Sequence, residues 1–174
     1  VQDALQYALR QNNIGNDRAL NSIKVGPPLT QIIESACPDA SIGLIRQVSE
    51  SFMQVYDEKY CLDCRLSPEA KDVMRSLCRK FDLLLVTNKR IRPTEKILKH
   101  FELDSFFSHV IGCDSLHPSY GEKADNLAHL IEHGYITRED CWYLGDTIGD
   151  ALACYKVGVP FVLAEWGYCE EEIE

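Results

Sequence analysis

The sequence has 174 residues, of which 45% are hydrophobic and 26% are charged, a profile that is typical of a globular protein and excludes a disordered chain. Its 18 Lys and Arg and 27 Asp and Glu give a net charge of −9, so neither nucleic acid nor an anionic membrane surface is predicted as a partner. No apolar run approaches the roughly 20 residues that a membrane-spanning helix needs.

Residues 1–66 carry helical patterns and no pattern of a β-strand. Apolar residues recur three and four positions apart over 1–9, which predicts an amphipathic helix that Gly15 would end. A second helical pattern covers 29–36, and a third runs over 41–55. We therefore predict a small all-helical domain over this part of the chain.

From about residue 67 the pattern changes to alternating helices and strands. Ser67 is a favourable N-cap and Pro68 suits the first helical position, so we predict that a helix begins there. The run 83–86 is continuously apolar, as expected of a parallel strand buried on both faces. The alternation predicts an α/β fold, an open parallel sheet with helices on both faces. The other predicted elements are a helix opened by Pro93, a strand at 110–111, a helix ended by Gly134, a strand at 141–144, a helix ended by Gly158 and a strand at 161–164.

The eight cysteines are predicted to be free thiols in a reducing, cytoplasmic compartment. An even count would allow four disulfides, but several cysteines lie in apolar stretches, such as Cys113 and Cys141. Cys61 and Cys64 form a lone CxxC pair. A zinc site needs a second ligand pair, and a thioredoxin-like redox pair follows a strand, so neither is predicted here.

Polar residues follow the predicted strands at the carboxyl ends, where open parallel sheets bind their ligands. The segment 87–89 follows the first strand, and Asp146 and Asp150 follow the third. Lys123 begins the helix after the second strand. These residues are the candidates for chemistry.

Asp146 and Asp150 lie four residues apart at a strand-to-helix junction, so both carboxylates can face one point. Two carboxylates at one point repel each other unless a cation lies between them, and such hard oxygen ligands suit Mg²⁺. The alternative is a helix start, with Asp146 as the N-cap and Asp150 favoured by the helix dipole. The spacing alone leaves both interpretations open.

Thr87 and Lys123 indicate chemistry only in combination with this pair. The Thr87 hydroxyl and the backbone N–H groups after it can hold a phosphoryl oxygen, but a Thr at a strand end is usually a turn residue. Lys123 can neutralise charge on transferring oxygens, but most lysines are solvated surface charges. Together these residues favour phosphoryl transfer by positioning and electrostatics, although no attacking group, such as the serine of a Gly-x-Ser-x-Gly motif, is evident.

Three stretches of the sequence resemble motifs of one family. LLLVTNK at 83–89 resembles its second motif, KADNL at 123–127 its third, and WYLGDTIGDA at 142–151 its fourth. The family is the haloacid-dehalogenase superfamily, and the resemblance is closest to its phosphoglycolate-phosphatase-like branch. The stretch VGPPL at 25–29 is similar to a part of the family's helical cap, and Ala124 stands where the family often has Pro.

The resemblance implies a Rossmann-like core over 67–174 and an all-helical cap over 1–66 that sets specificity. It implies a Mg²⁺-dependent phosphatase that acts on a small phosphorylated metabolite through an aspartyl-phosphate. It indicates no oligomeric state. The implied roles are phosphoryl binding by Thr87 with Asn88 beside it, charge stabilisation by Lys123, a Mg²⁺ ligand in Asp146, and a ligand or an orienting group for its waters in Asp150.

The family's first motif, an apolar strand ending in Asp-x-Asp-Gly-Thr, has no counterpart in the sequence. Asp3 and Asp17 follow no strand, and no Asp stands two residues after either of them. We therefore expect an incomplete sequence, whose nucleophile precedes Val1 and whose core continues beyond Glu174. The missing strand is central in the family's sheet. Its absence predicts a gap between the first and third strands of this chain, poor stability and no phosphatase activity for residues 1–174 alone.

Other functions stay open at this point. A sugar-phosphate mutase of the same superfamily fits the same motifs, whereas a dehalogenase needs no metal and is disfavoured by the Asp146/Asp150 pair. A non-catalytic binding or regulatory protein on the same fold is a further alternative. A phospho-receiver domain also uses Asp, Thr and Lys, but its acidic pair lies at the first strand, which disfavours it.

Overall fold

The structure, a computed structural model, falls into two compact units within its described residues, which are 1–14, 29–116 and 122–167. Helices make up the first unit, and strands alternate with helices in the second. The units comprise Val1–Arg79 with Arg92–Phe106, and Lys80–Ile91 with Phe107–Glu174.

Two expectations fall outside this description. Gly15, the predicted stop of the first helix, and most of the cap-like stretch 25–29 are not among the described residues. The boundary at residue 66 between a cap and a core stays a prediction.

The helices of the first unit bury the apolar stripes that the sequence predicts. α1 (Gln2–Gln11) buries four residues of its stripe, which confirms the first helical pattern. α1 and α2 (Leu29–Ala36) both pack against α3 (Ile42–Val55), which begins at its N-cap Ser41. A π-helix, Tyr56–Tyr60, follows directly. The core of this unit contains Ala4, Leu5, Ala8, Leu9, Ile32, Ile33, Val48, Phe52, Tyr56 and Cys61.

The helix predicted from Ser67 and Pro68 begins later than expected. It is α4 (Ala70–Leu77), with Glu69 at the N-cap position and no side-chain capping bond. The Ala70 N–H donates to the Ser67 carbonyl at 3.0 Å, so a turn through Pro68 precedes the helix and the Ser67 hydroxyl does not cap it. None of the residues of α4 is buried, and its apolar residues Val73 and Leu77 are 52% and 36% exposed.

The strands described in the second unit form two parallel pairs. β1 (Leu84–Val86) pairs with β2 (His109–Ile111), with Leu84 opposite His109. β3 (Tyr143–Gly145) pairs with β4 (Phe161–Leu163), with Tyr143 opposite Phe161. Parallel strands that alternate with helices confirm the predicted α/β fold.

Among the described residues, β1 and β3 each pair on one side only, so no backbone ladder joins the two strand pairs. A side-chain bond connects them, because the Tyr143 hydroxyl donates to the Val86 carbonyl at 3.1 Å. A sheet divided between β1 and β3 is the arrangement expected in the absence of a central strand. The existence of that strand outside these residues stays a prediction.

The helices α6 (Lys123–Glu132) and α7 (Ile148–Val157) pack on each other in the second unit. The predicted stops are confirmed, since Gly158 caps α7 with a φ of 74° and Gly134 follows α6 with a φ of 70°. The remaining elements belong to the first unit, apart from Ile91 at the start of α5 (Ile91–His100), and include a short 3₁₀ helix, Asp104–Phe106. The core of this unit contains Val86, Ile111, Ala124, Leu127, Leu130, Ala153, Cys154 and Val159.

The seven cysteines within the described ranges are free, which agrees with the prediction of unpaired thiols. Burial raises the pKa of the Cys154 thiol to about 11, so this cysteine is an unreactive core residue. None of the helices in the described part of the chain is long and apolar enough to span a membrane.

Candidate active site

The candidate residues lie at the carboxyl ends of β1 and β3 in the second unit. Thr87 follows β1, and Asp146 follows β3. Lys123 is the first residue of α6, and Asp150 lies in the first turn of α7. The structure brings Lys123, Asp146 and Asp150 together. Within the described part of the chain, the Thr87 side chain makes no hydrogen bond to these three residues.

The Asp150 carboxylate is buried, with 4% of the residue exposed. Its Oδ2 accepts hydrogen bonds from the Thr147 hydroxyl at 2.8 Å, from the Thr147 N–H at 3.2 Å and from the Asp146 N–H at 3.3 Å. In return, the Thr147 hydroxyl oxygen accepts the Asp150 N–H at 3.1 Å, and this capping box starts α7. Asp150 therefore stabilises the helix start as the alternative interpretation expected, but the N-cap is Thr147 and not Asp146.

Lys123 completes this network with an ion pair. Its ammonium donates to Asp150 Oδ1, and the two side chains are 12% and 6% exposed. The same Nζ atom lies 5.6 Å from the centroid of the Tyr143 ring. Because removing either partner would leave an uncompensated buried charge, the pair fixes a cation and an anion at this position.

The environment of the pair keeps both of its members charged. Burial alone would raise the pKa of the Asp150 carboxyl, but the hydrogen bond and the charge of Lys123 hold that pKa below its ordinary value. Burial disfavours the Lys123 ammonium, yet the hydrogen bond and the charge of Asp150 raise its pKa above the ordinary value. Burial also raises the pKa of the Tyr143 phenol, which is therefore neutral at neutral pH.

Tyr143 is a site residue that the sequence patterns missed. Its hydroxyl donates to the Val86 carbonyl, and it shares the inner face of β3 with Gly145. Leu144 between them is 57% exposed, and this period of two along the strand is the signal that could have found Tyr143. Gly145 is required at the next inward position, because a Cβ there would lie 2.8 Å from the Asp150 Cβ.

The segment after β1 presents a hydroxyl at the strand end. The Thr87 N–H donates to the Ile111 carbonyl at 2.9 Å, which continues the parallel ladder by one residue. The Thr87 hydroxyl oxygen accepts the Lys89 N–H at 3.2 Å, which uses a lone pair and leaves the hydroxyl proton for another acceptor. Asn88 beside it is exposed. A phosphoryl oxygen is an acceptor of the required kind.

A family model described as haloacid dehalogenase-like hydrolase matches residues 1–164. The chain belongs to this family. The resemblance carried by the motifs is therefore confirmed. A phosphoglycolate phosphatase of Haemophilus influenzae is 32% identical to this chain over 126 residues, which are 71% of the chain and 55% of the relative. One of Psychrobacter arcticus is 38% identical over 88 residues, 51% of the chain and 38% of the relative. The chain spans about half the length of the curated relatives it matches.

Solved structures share the fold of this chain. A haloacid dehalogenase-like family protein from Streptococcus pneumoniae superimposes with a TM-score of 0.80 at 22% identity, over 97% of this chain and 78% of that one. A structure described as a predicted phosphoglycolate phosphatase from Haemophilus somnus gives a TM-score of 0.78 at 22% identity, over 95% and 78% of the two chains. At this level of identity the similarity establishes the fold alone.

The family implies a metal ion, and the donor set at the end of β3 fits one. Within the described ranges, no three His, Cys, Asp or Glu side chains converge as a metal site made of protein ligands alone. Mg²⁺ needs fewer protein ligands than three, since it commonly takes one or two carboxylates and keeps several waters. Asp146 carries a carboxylate at the end of β3, and its N–H donates to the Asp150 carboxylate, which accepts four hydrogen bonds. The two carboxylates are therefore oxygen donors of the kind that Mg²⁺ takes.

Gly167, which follows β4, packs closely against Asp146. The Gly167 N–H donates to the Ala164 carbonyl at 2.9 Å, which closes a turn over the end of β3. A Cβ on Gly167 would lie 2.2 Å from the Asp146 Cβ and 2.5 Å from its Oδ2. Any larger residue would therefore displace the Asp146 carboxylate.

Proposed function

We propose that this protein is a Mg²⁺-dependent phosphatase that hydrolyses a small-molecule phosphate monoester of the phosphoglycolate type. The observation that carries the proposal is the buried Lys123–Asp150 pair next to Asp146 at the carboxyl end of β3. The pair keeps the Lys123 ammonium close to carboxylate oxygens at the carboxyl end of the strand, which is where open α/β sheets bind their ligands. The curated relatives named phosphoglycolate phosphatase support the same substrate class.

Each residue has a separate role in this proposal. Lys123, held charged by Asp150, would stabilise negative charge on the phosphoryl oxygens. The Thr87 hydroxyl would donate to one of these oxygens, with Asn88 beside it. Asp146 would hold Mg²⁺, which supplies further positive charge to the phosphoryl oxygens when bound. Asp150 would orient the site through its bonds to the Lys123 ammonium and the Asp146 N–H.

The attacking group in this proposal is an Asp carboxylate on a strand that pairs between β1 and β3. Both strands have an edge without a ladder partner in the described residues, which is the space such a strand needs. Attack on phosphorus would form an aspartyl-phosphate and release the alcohol, and water would then hydrolyse the aspartyl-phosphate. Residues 1–66 would act as the cap that selects the ester.

The proposed partner is a small phosphorylated metabolite and not a nucleic acid or a membrane. The net charge of −9 supports this choice, because phosphate backbones and anionic lipids attract basic surfaces. The free thiols support a reducing, cytoplasmic location.

The test uses the full-length protein that contains residues 1–174 and a generic aryl phosphate. Hydrolysis should require added Mg²⁺, and Asp146→Asn should lower kcat by about 100-fold or more, since metal stabilisation of a phosphoryl transition state is worth several kcal/mol. Asp140→Asn, in an exposed turn before β3, is the matched control and should keep wild-type turnover. Full turnover in excess chelator would contradict the metal requirement. A sugar phosphate as a second substrate distinguishes a hydrolase, which would release inorganic phosphate from it, from a mutase, which would return an isomerised sugar phosphate.

A further inference from the structure

The segment after β1 is held in place by the turn that follows β2. The Lys89 carbonyl accepts the Cys113 N–H at 3.1 Å. The Ile91 N–H donates to Asp114 Oδ1 at 2.7 Å, across 23 residues of sequence. Together with the ladder bond of Thr87, these bonds hold the segment at its beginning, its middle and its end.

The turn after β2 has its own internal hydrogen bonds, and a glycine lies where its backbone comes closest to the segment after β1. The Gly112 N–H donates to the Ser115 hydroxyl oxygen at 2.9 Å, and the Ser115 N–H donates to the Gly112 carbonyl at 3.2 Å. A Cβ on Gly112 would lie 2.5 Å from the Ile91 nitrogen and 2.8 Å from the Lys89 carbonyl oxygen. The two backbones can therefore approach this closely only with glycine at position 112.

Asp114 contributes a side-chain bond to this arrangement. Ile91 is the first residue of α5, and the N–H groups at a helix start have no partner within the helix. A carboxylate acceptor at this position forms a charge-assisted bond and is also favoured by the helix dipole. Removing the Asp114 carboxylate would leave the Ile91 N–H unpaired and release the far end of the segment.

We propose that Asp114 is a positioning residue for phosphoryl binding, which sets the path of the backbone from Thr87 to Ile91 and with it the position of the Thr87 hydroxyl. Asp114 itself would not touch the substrate. The inference rests on the phosphoryl-binding role proposed for Thr87. A misplacement of about 1 Å can cost about 100-fold in rate, so a bond outside the site can govern what the site does.

The experiment compares Asp114→Ala with Asp114→Asn in the full-length protein, with inorganic phosphate as the probe. The Asn side-chain oxygen can still accept the Ile91 N–H, so Asn should rescue what Ala loses. Asp114→Ala should weaken phosphate affinity and raise the KM for an aryl phosphate about tenfold, whereas Asp114→Asn should stay within about twofold. Asp140→Ala removes a carboxylate from the turn before β3 and should leave phosphate affinity unchanged.

Hydrogen–deuterium exchange over residues 87–91 provides a readout that does not depend on turnover. Exchange should accelerate in Asp114→Ala and stay at the wild-type rate in Asp114→Asn and Asp140→Ala. Unchanged exchange in Asp114→Ala would overturn the proposal, and so would faster exchange combined with wild-type phosphate affinity. Equal losses in the Ala and Asn variants would also overturn it, because the charge and not the hydrogen bond would then be responsible.

The same variants separate this inference from the proposed function. If the wild-type protein binds inorganic phosphate without hydrolysing the aryl phosphate, and Thr87→Val and Asp114→Ala both weaken binding, the phosphatase proposal fails and the role of Asp114 stands. If the wild-type protein hydrolyses the ester and Asp114→Ala keeps full phosphate affinity, the phosphatase proposal stands and the role of Asp114 fails.

Discussion

The ends of β1 and β3 are built in different ways, although both are proposed to bind one phosphoryl group. At β3 the site consists of buried side chains, since Asp150 bonds to Thr147 and pairs with Lys123. At β1 the site consists of backbone held by a neighbouring turn, with Thr87 and Asp114 as its main side chains. A site made of buried charges couples activity to stability. Where a site is made of hydrogen-bonded backbone, one side chain can lose its function while the protein keeps its fold.

The largest expected effect comes from breaking the buried pair at β3. Lys123→Ala leaves the Asp150 carboxylate without a counter-charge, which should cost about 3–5 kcal/mol of the free energy of unfolding. Lys156→Ala is the matched control, because Lys156 pairs with Glu122 where the side chains are 59% and 72% exposed. That control should cost much less, because solvent screens an exposed ion pair. Urea denaturation of both variants measures the difference, and equal losses would show that the buried pair behaves like a surface pair.

The same contrast explains which features the sequence could predict. Gly158 was predicted as a helix stop, and Asp150 was placed at a helix start, because each depends on residues within one or two turns of the chain. The Tyr143 bond to Val86 spans 57 residues, and the Asp114 bond to Ile91 spans 23. No local pattern encodes such pairs, since they depend on how the strands are arranged in space.

The start of β3 shows a second limit of local patterns. The apolar run suggested a strand from Cys141, whereas β3 begins at Tyr143. Trp142 continues the apolar run, but it is 73% exposed and does not belong to the buried face. The strand begins where pairing with β4 begins, at Tyr143 opposite Phe161. The partner strand, and not the run of apolar letters, therefore sets this boundary.

The second expected effect tests how tightly the end of β3 is packed. Gly145→Ala places a Cβ 2.8 Å from the Asp150 Cβ, so Asp150 must move, and overpacking of this kind costs roughly 1–3 kcal/mol. Gly149→Ala is the matched change, because its Cβ would lie 3.6 Å from the Thr147 hydroxyl oxygen, an ordinary contact. Alanine is the better helix former by about 1 kcal/mol, so Gly149→Ala should keep or raise stability.

Thermal unfolding of the two alanine variants gives the comparison directly. The midpoint should fall for Gly145→Ala and hold or rise for Gly149→Ala. A Gly145→Ala midpoint at or above the wild-type value would mean that Asp150 moves without cost. In that case the buried side chains at the end of β3 are not rigidly packed. The contrast with the backbone-built end of β1 would then be smaller than the geometry indicates.

The smallest expected effect on stability is at the end of β1, where the effect on binding should nevertheless be clear. Thr87→Val keeps the shape of the side chain and removes the hydroxyl, which accepts the Lys89 N–H at 3.2 Å. Losing that bond should cost about 0.5–1.5 kcal/mol of the free energy of unfolding. Affinity for inorganic phosphate should fall about tenfold, because a donor to the phosphoryl oxygen is lost. Thr87→Ser keeps the hydroxyl and should restore affinity to near the wild-type value.

Thr137→Val is the control for the Thr87 variants, because the Thr137 hydroxyl donates to Asp140 at 3.4 Å in an exposed turn before β3. It removes the same group from the amino end of the strand and should leave phosphate affinity unchanged. If Thr87→Val keeps wild-type affinity, the hydroxyl does not contact the phosphoryl group. If it destabilises the protein as much as Lys123→Ala does, the ends of β1 and β3 depend equally on buried side chains. The proposed difference between the two strand ends is supported only if Thr87→Val loses phosphate affinity with little loss in the free energy of unfolding. The end of β1 would then be held by backbone bonds, and the Thr87 hydroxyl would serve binding alone.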